Sequence, residues 1–328
     1  MQAIRIVKHG GPDVLEVVDV PVPKPAPGQV LVDVAAVGVN YRDVYEREGL
    51  YGGELPTIIG AEAAGTVAAI GEGVPEFAAG DRVGWISGPG SYATQVVVDA
   101  ERVVPVPAGV SDELAAAALL QGITAQYLST STHAVQPGEE VIVHAAAGGV
   151  GLLLTQVVTM RGGLVIATTS SEEKARLARE AGAAEVIPYE QFGARVKELT
   201  GGLGVDVVYD GVGAATFDES LASLRPRGDM VLFGTASGPV PAVDPRRLEN
   251  GGSLYLTRPS IRHYTATRRE LLDRARDVFE WIAEGRLRVR IGGRYPLKEA
   301  RRAHEALEGR RTTGKLVLIP ESLRAQDE

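Results

Sequence analysis

The sequence predicts an α/β protein of two domains, with a doubly wound parallel sheet set between the two halves of a discontinuous β-barrel domain. Three observations carry this reading. At 328 residues the chain exceeds what one hydrophobic core usually serves. Its first third runs through short β patterns broken by Gly and Pro: VLEVVDVPVPKPAPGQVLVDVAAVGVN, GTVAAIGEGV, GDRVGWI, YATQVVV and ERVVPVP. Many short strands at this spacing indicate a partly open barrel. The middle third instead alternates apolar strands, EVIVHA, LVIATTS, EVIPY, VDVVYDGV and DMVLFGT, with segments of helical period. That is the pattern of a parallel sheet covered on both faces.

The remaining elements follow in order. SSEEKARLAREAGA is a helix with its own punctuation: Ser170 or Ser171 caps it, Glu173 sits in the first turn and Gly182 stops it. After Tyr264 the chain is helical again through RRELLDRARDVFEWIAEG and closes with the strand KLVLIP, and the charged tail ESLRAQDE reads as mobile. Because the α/β unit lies in the middle, the two ends join into one domain. The expected bounds are 1–123 and 264–328 for the barrel domain and 124–263 for the sheet domain, with a ligand in the cleft between them.

Composition excludes several classes of function. The net charge of −8 disfavours non-specific binding to phosphate backbones, so nucleic acid is not expected as the main partner. No apolar run is long enough to cross a bilayer, and MQAIRIVKHGG is a strand and turn with charges, unlike a signal-peptide core; a cytoplasmic enzyme is the simplest reading. The absence of cysteine removes disulfides, thiol catalysis and thiolate metal ligands together. The histidines, His9, His133, His144, His263 and His304, show no metal-ligand spacing. His144 ends a buried strand and reads as a hydrogen-bonded core residue, while His133 and His304 read as surface residues.

The segment EVIVHAAAGGVG followed by LLLTQVV has the form of a strand, a tight turn and a helix that cradles a pyrophosphate. The three glycine positions of the dinucleotide fingerprint are Ala146, Gly148 and Gly151 here, so the first glycine is missing. From His144 to Val158 there is no charged residue, which leaves bare backbone donors at a helix N-terminus for an anion. The second strand ends in Thr168, Thr169, Ser170 and Ser171, without the carboxylate that binds the adenine ribose of NAD. Lys174 follows and can reach a 2′-phosphate, with the hydroxyls as neutral donors, so NADPH is preferred to NADH. The alternative makes Lys174 an exposed partner of nearby glutamates.

Several further motifs stand in fixed order: GVNYRDVYEREGLY at 38–51, PTIIGAEAAGTV at 56–67, AAGDRV at 78–83, ELTGGLGVDVVYDGVG at 198–213 and GSLYLTRPS at 252–260. Together with HAAAGGVG, they make the chain from Met1 to Pro320 resemble the zinc-free, ζ-crystallin-like quinone oxidoreductases of the medium-chain dehydrogenase/reductase superfamily. The resemblance implies a Rossmann nucleotide domain beside a GroES-like β-barrel catalytic domain. In zinc-dependent relatives a Cys stands at Asn40 and a His at Ala61, beside the retained Glu62, so no metal is expected. It also implies that Asn40 and Tyr45 lie beside nicotinamide and substrate, as catalytic and cofactor-binding residues, and Thr124 in the cofactor cleft. Ala147, Gly148, Gly149 and Val150 take the pyrophosphate; Ser170 and Lys174 take the 2′-phosphate, with Tyr189 near that phosphate or the adenine. Phe233, Gly234 and Ser237 lie along the nicotinamide, and Lys315 is close to the cofactor cleft. Gln121 departs from the lysine found in many relatives.

The activity implied is transfer of hydride from NADPH to a quinone, with the Asn40 amide and Tyr45 hydroxyl as donors to the developing anion. The alternatives are NADPH-dependent reduction of α,β-unsaturated carbonyls such as alkenals or enones, and a crystallin-like or RNA-binding role that the acidic balance disfavours. Taken singly, Asn40 could merely satisfy a turn and Tyr45 could be a packing residue, and Gly211 and Gly213 read equally as backbone necessities. A homodimer is expected through GSLYLTRPS, which is β-rich and ends at Pro259.

Overall fold

A computed structural model describes residues 1–88 and 90–321, so the tail ESLRAQDE lies, from its second residue on, outside the described residues. The chain divides into two compact units, residues 1–120 with 265–328 and residues 121–264. The helix Asp112–Tyr127 carries the chain from one to the other.

In the first unit the organising element is the strand Gln29–Val39. It pairs antiparallel with Glu62–Ile70, Gln95–Asp99 and Lys315–Ile319, so the chain's two ends meet in one sheet. Arg82–Ile86 and Val103–Pro105 extend that sheet on one side and Ile291–Pro296 on the other. A small antiparallel sheet of Glu16–Asp19, Gln2–Ile6 and Thr57–Ile58 completes the strands. Both sheets feed one apolar core, which includes Ile4, Val32, Val37, Phe77 and Trp85 from the first segment and Leu297, Ala303 and Leu318 from the last.

Register places the chemistry. Val37 lies opposite Ala63 and Val39 opposite Leu316, so Gly38, Asn40, Glu62 and Lys315 converge where three strands end or begin. A Cβ on Gly38 would stand 2.4 Å from Glu62 Oε2, so only glycine leaves room for that carboxylate. The short helix Tyr41–Arg47 starts directly after Asn40.

The second unit is a six-stranded parallel sheet built from Glu140–Val143, Leu164–Thr169, Glu185–Pro188, Val205–Asp210, Leu224–Leu232 and Tyr255–Thr257. Their spatial order is three, two, one, four, five, six, with the direction of winding reversing between the first and fourth strands. In open sheets of this kind ligands sit at the carboxyl ends of the strands, at that reversal. The helix after the second strand is Glu172–Glu180, and Ser171 rather than Ser170 is its cap, accepting from the Lys174 N–H. Gly182 stops the helix in the left-handed region that favours glycine.

The helix Gly149–Met160 packs on the turn that follows the first strand through Gly151. A Cβ there would lie 2.3 Å from Ala145 O and 2.7 Å from Ala146 Cα, both backbone, whereas one on Gly148 would meet only Ala145 O at 3.1 Å. Gly151→Ala is therefore expected to cost about 1–3 kcal/mol of stability through overpacking. Gly148→Ala should cost much less. Urea unfolding of both variants checks this, and equal stabilities would remove Gly151 as the packing contact.

Candidate active site

In the first unit, Asn40 is the N-terminal cap of its helix and shares a capping box with Asp43. Asp43 reaches back to accept the Asn40 backbone N–H at 2.9 Å. The Asn40 amide also bonds to residues outside the helix. Its Nδ2 donates to Glu62 Oε2 at 2.9 Å and to Gly38 O at 3.2 Å, and its Oδ1 accepts from Lys315 Nζ at 2.7 Å. Lys315 also donates to Glu62 Oε2 at 2.5 Å, and the Leu120 N–H donates to Glu62 Oε1 at 2.6 Å. The lysine and glutamate side chains are 1% and 0% exposed. Two opposite charges thus share a dry site and fix the amide between them, so there is no freedom in which way Asn40 faces.

That arrangement bears on the expectation that the Asn40 amide donates to the acceptor. Both Nδ2 hydrogens are directed to Glu62 and Gly38, so donation to a ligand requires breaking one of these bonds. Tyr45, on the same helix, is buried, with its ring edge-on to Tyr51 at 5.7 Å and tilted to Tyr41 at 6.1 Å. Tyr51 is 58% exposed.

In the second unit the predicted cofactor residues fall along the carboxyl ends of the strands. After the first strand, Ala145 takes a left-handed conformation (φ 50°) and the Gly148 N–H closes the turn on Ala145 O at 2.8 Å. The helix's own bonds begin at the Leu152 N–H on Gly148 O, leaving the amides of Gly149, Val150 and Gly151 to face the turn. Ala147 is buried beneath. A Cβ on Gly149 would collide with Gln121 Oε1 at 2.0 Å, so the residue that departs from the family's lysine is packed against this glycine. After the second strand, Lys174 Nζ, on a half-buried residue, donates to the Oγ of exposed Ser170 at 3.1 Å, and no carboxylate ends the strand. After the third, Tyr189 Oη accepts from the Ala145 N–H at 2.8 Å, and its ring stacks on His144.

The loops after the fourth and fifth strands are tied to each other. Ser237 Oγ donates to Val212 O at 2.8 Å and accepts from the Ala215 N–H at 3.0 Å. Gly211 and Gly234 pack backbone to backbone, the Phe233 ring lies against Gly211, and Gly213 is left-handed, so these glycines are backbone necessities. Thr124 is buried on the helix that enters this unit.

Sequence reasoning missed the support beneath. Asp210 Oδ1 accepts the Val212 and Gly213 N–H groups, and its Oδ2 accepts the Thr216 hydroxyl at 2.7 Å and the Ser220 hydroxyl at 3.3 Å. His144 joins this network through Ser220 and Thr168, and burial lowers its pKa, as expected of a core histidine. His304 was expected on the surface and is instead fully buried: it bonds to Tyr92 and Arg47, partners that only the fold brings near. His133 is half-buried between Asp229 and Glu139.

A zinc-binding dehydrogenase family model matches residues 149–284, and an alcohol dehydrogenase GroES-like domain model matches residues 26–108. A quinone oxidoreductase of Pseudomonas aeruginosa is 46% identical over 321 residues, 97% of this chain and 99% of the relative. A 2-haloacrylate reductase of a Burkholderia species is 41% identical over 98% of this chain and 100% of that protein. Among solved structures, Escherichia coli quinone oxidoreductase complexed with NADPH superposes with a TM-score of 0.96 at 43% identity, over 98% of this chain and 100% of the other.

The metal in the first family's description does not fit the residues present. Asn40 and Ala61 offer no soft or imidazole ligand, and the one carboxylate, Glu62, is already bound by an ammonium and two N–H donors. Purified protein is expected to contain no stoichiometric zinc, and chelators should leave its activity intact; elemental analysis alongside a chelator series checks both. Lys315→Met, which leaves Glu62 charged and buried, should cost about 3–5 kcal/mol in urea unfolding, and adding Glu62→Gln should recover part of that. A cost below about 1 kcal/mol would remove the ion pair as the site's support.

Proposed function

The chain belongs to the quinone oxidoreductase group of the medium-chain dehydrogenase/reductase superfamily, and from that premise we propose that it is an NADPH-dependent quinone reductase working without a metal. The observation that carries the reading is the carboxyl edge of the parallel sheet, an uncharged glycine turn followed by Ser170 and Lys174, with no carboxylate to repel a 2′-phosphate.

When bound, NADPH supplies the hydride. The chain's own residues bind and orient. The amides of Gly149, Val150 and Gly151, with Ala147 and Gly148, hold the pyrophosphate through the positive end of their helix. Ser170 and Lys174 hold the 2′-phosphate, and Tyr189 stands beside the turn. Phe233, Gly234 and Ser237 would lie along the nicotinamide, with Thr124 in the cofactor cleft. On the acceptor side Asn40 and Tyr45 act, with Asn40 oriented by Lys315 and Glu62 and the Tyr45 hydroxyl donating to the oxygen on which charge develops. Quinol oxygens then take their protons from water.

The Burkholderia relative, by its name a reductase of a halogenated acrylate, favours a second reading in which the hydride goes to the β-carbon of an unsaturated carbonyl compound. Catalytic efficiencies across a panel of quinones, enones and haloacrylates separate the two. We further propose a cytoplasmic homodimer formed through the edge strand Tyr255–Thr257, where Tyr255 is 62% exposed. No described helix is long and apolar enough to cross a membrane.

Lys174→Ala is expected to raise the Michaelis constant for NADPH about tenfold or more, because a charge-assisted hydrogen bond contributes about 1.5–3 kcal/mol. Values for NADH should barely change. Equal losses with both cofactors would assign Lys174 to the fold instead.

A further inference from the structure

A second network also ends on Asn40 and takes no part in the chemistry above. Arg47, at the far end of the helix Tyr41–Arg47, is completely buried. Its Nη1 lies 3.0 Å from His304 Nδ1, and His304 Nε2 lies 2.9 Å from the Tyr92 hydroxyl. That hydroxyl is 3.0 Å from Asp43 Oδ2, the same oxygen that accepts the Asn40 N–H. Asp43, Tyr92 and His304 are each 0% exposed. Arg47 is tied down by Gly10 O at 2.9 Å and by Glu308, which accepts both Nη groups at 2.6 and 3.1 Å.

We propose that His304, Tyr92 and Asp43 are positioning residues for the acceptor site, forming a one-way hydrogen-bond chain that fixes the Asn40 backbone and the first turn of the helix bearing Tyr45. The direction follows from the guanidinium, which has donors only. Because Arg47 donates to Nδ1, a neutral His304 must carry its proton on Nε2. That proton is donated to Tyr92 Oη, which leaves the tyrosine hydrogen for Asp43. Each hydrogen bond therefore has one sense. The helix is held at its start by Asp43 and at its end by Arg47, and both holds run to the helix Ala300–Glu308 through His304 and Glu308. Buried polar chains seldom add stability over well-packed apolar side chains of the same shape, so what this one supplies is geometry.

The charges agree with the geometry. Burial and the Arg47 charge lower His304 to about 3, which keeps it neutral. Burial raises Asp43 to about 7; the Asn40 N–H, Arg42 and Lys315 pull it down and Glu46 pushes it up. Across the chain from it stand Tyr92, whose own pKa burial raises, and beyond that His304 and Arg47. When Asp43 takes a proton, its bonds to Asn40 and Tyr92 weaken. Turnover should therefore fall as pH drops through about 7.

The proposal rests on the quinone-reductase reading, and the test separates the two. Turnover of one quinone and NADPH binding by fluorescence are measured from pH 5 to 9 for the wild type, Tyr92→Phe, His304→Gln and Asp43→Asn. Tyr92→Phe removes a donor that favours the charged carboxyl, so its acid limb should move up by about one pH unit, and kcat at pH 7 should fall about fivefold with NADPH affinity within twofold. His304→Gln, whose amide can accept from Arg47 and donate to Tyr92, should keep the wild-type limb. Asp43→Asn should have no limb. Histidine nitrogen NMR should show His304 neutral with its proton on Nε2 throughout; a charged ring, or a proton on Nδ1, overturns the chain's direction. A profile identical in wild type and Tyr92→Phe overturns the positioning role, and should Tyr92→Phe not fold, His304→Phe carries the same comparison. A wild type that binds NADPH yet reduces no quinone overturns the functional reading instead.

Discussion

The buried pair of Lys315 and Glu62 is the constraint on which the proposed acceptor site depends. Neither charge can be removed from water alone, since an unpaired buried ion costs several kcal/mol, so each requires the other and the register that brings them together. Glu62 opens one strand and Lys315 another, and both flank Asn40 at the end of the long strand Gln29–Val39. A slip of one residue in either pairing would turn these side chains to the opposite face. The Asn40 amide is locked because Glu62 and Gly38 O take its Nδ2 hydrogens and Lys315 donates to its oxygen.

Strand ends also build the cofactor region, by a different route. In the parallel sheet every carboxyl end opens on the same edge, so the turns after five successive strands supply, in order, the helix N-terminus, Ser170 and Lys174, Tyr189, and the two loops joined by Ser237. Beneath that edge, Asp210 and His144 satisfy the backbone and hydroxyl groups that end the strands, which makes the turns rigid without placing charge in them. An uncharged cradle above a satisfied polar floor suits a phosphate that brings its own charge.

Much of the local structure of the proposed cofactor region is legible in the sequence because its signals are local. The glycine turn, the run without charges, the strand end lacking a carboxylate and the Ser171 cap each lie within a few residues of one another. Even so, the sequence offers Ser170 and Ser171 equally for that cap, and the left-handed residue in the turn is Ala145, one place before the expected first glycine. Asp43 carries a signal too, three residues after Asn40 at capping-box spacing, yet nothing in the sequence shows that the Asn40 amide also bonds to Glu62 and Lys315.

By itself the sequence determined the two folding patterns, the uncharged glycine turn and the strand end without a carboxylate, since these follow from periodicity, turn chemistry and residue type over short spans. Only the tertiary structure decided who pairs with whom across long separations. Lys315 meets Asn40 and Glu62 from the far end of the chain, and His304 leaves the surface expected of it to join Tyr92 and Arg47 in the core. The physical reason is that a polar side chain's burial depends on partners whose proximity is set by strand register and helix docking. A lysine or histidine in a short sequence window looks the same whether its partner is solvent or a buried carboxylate.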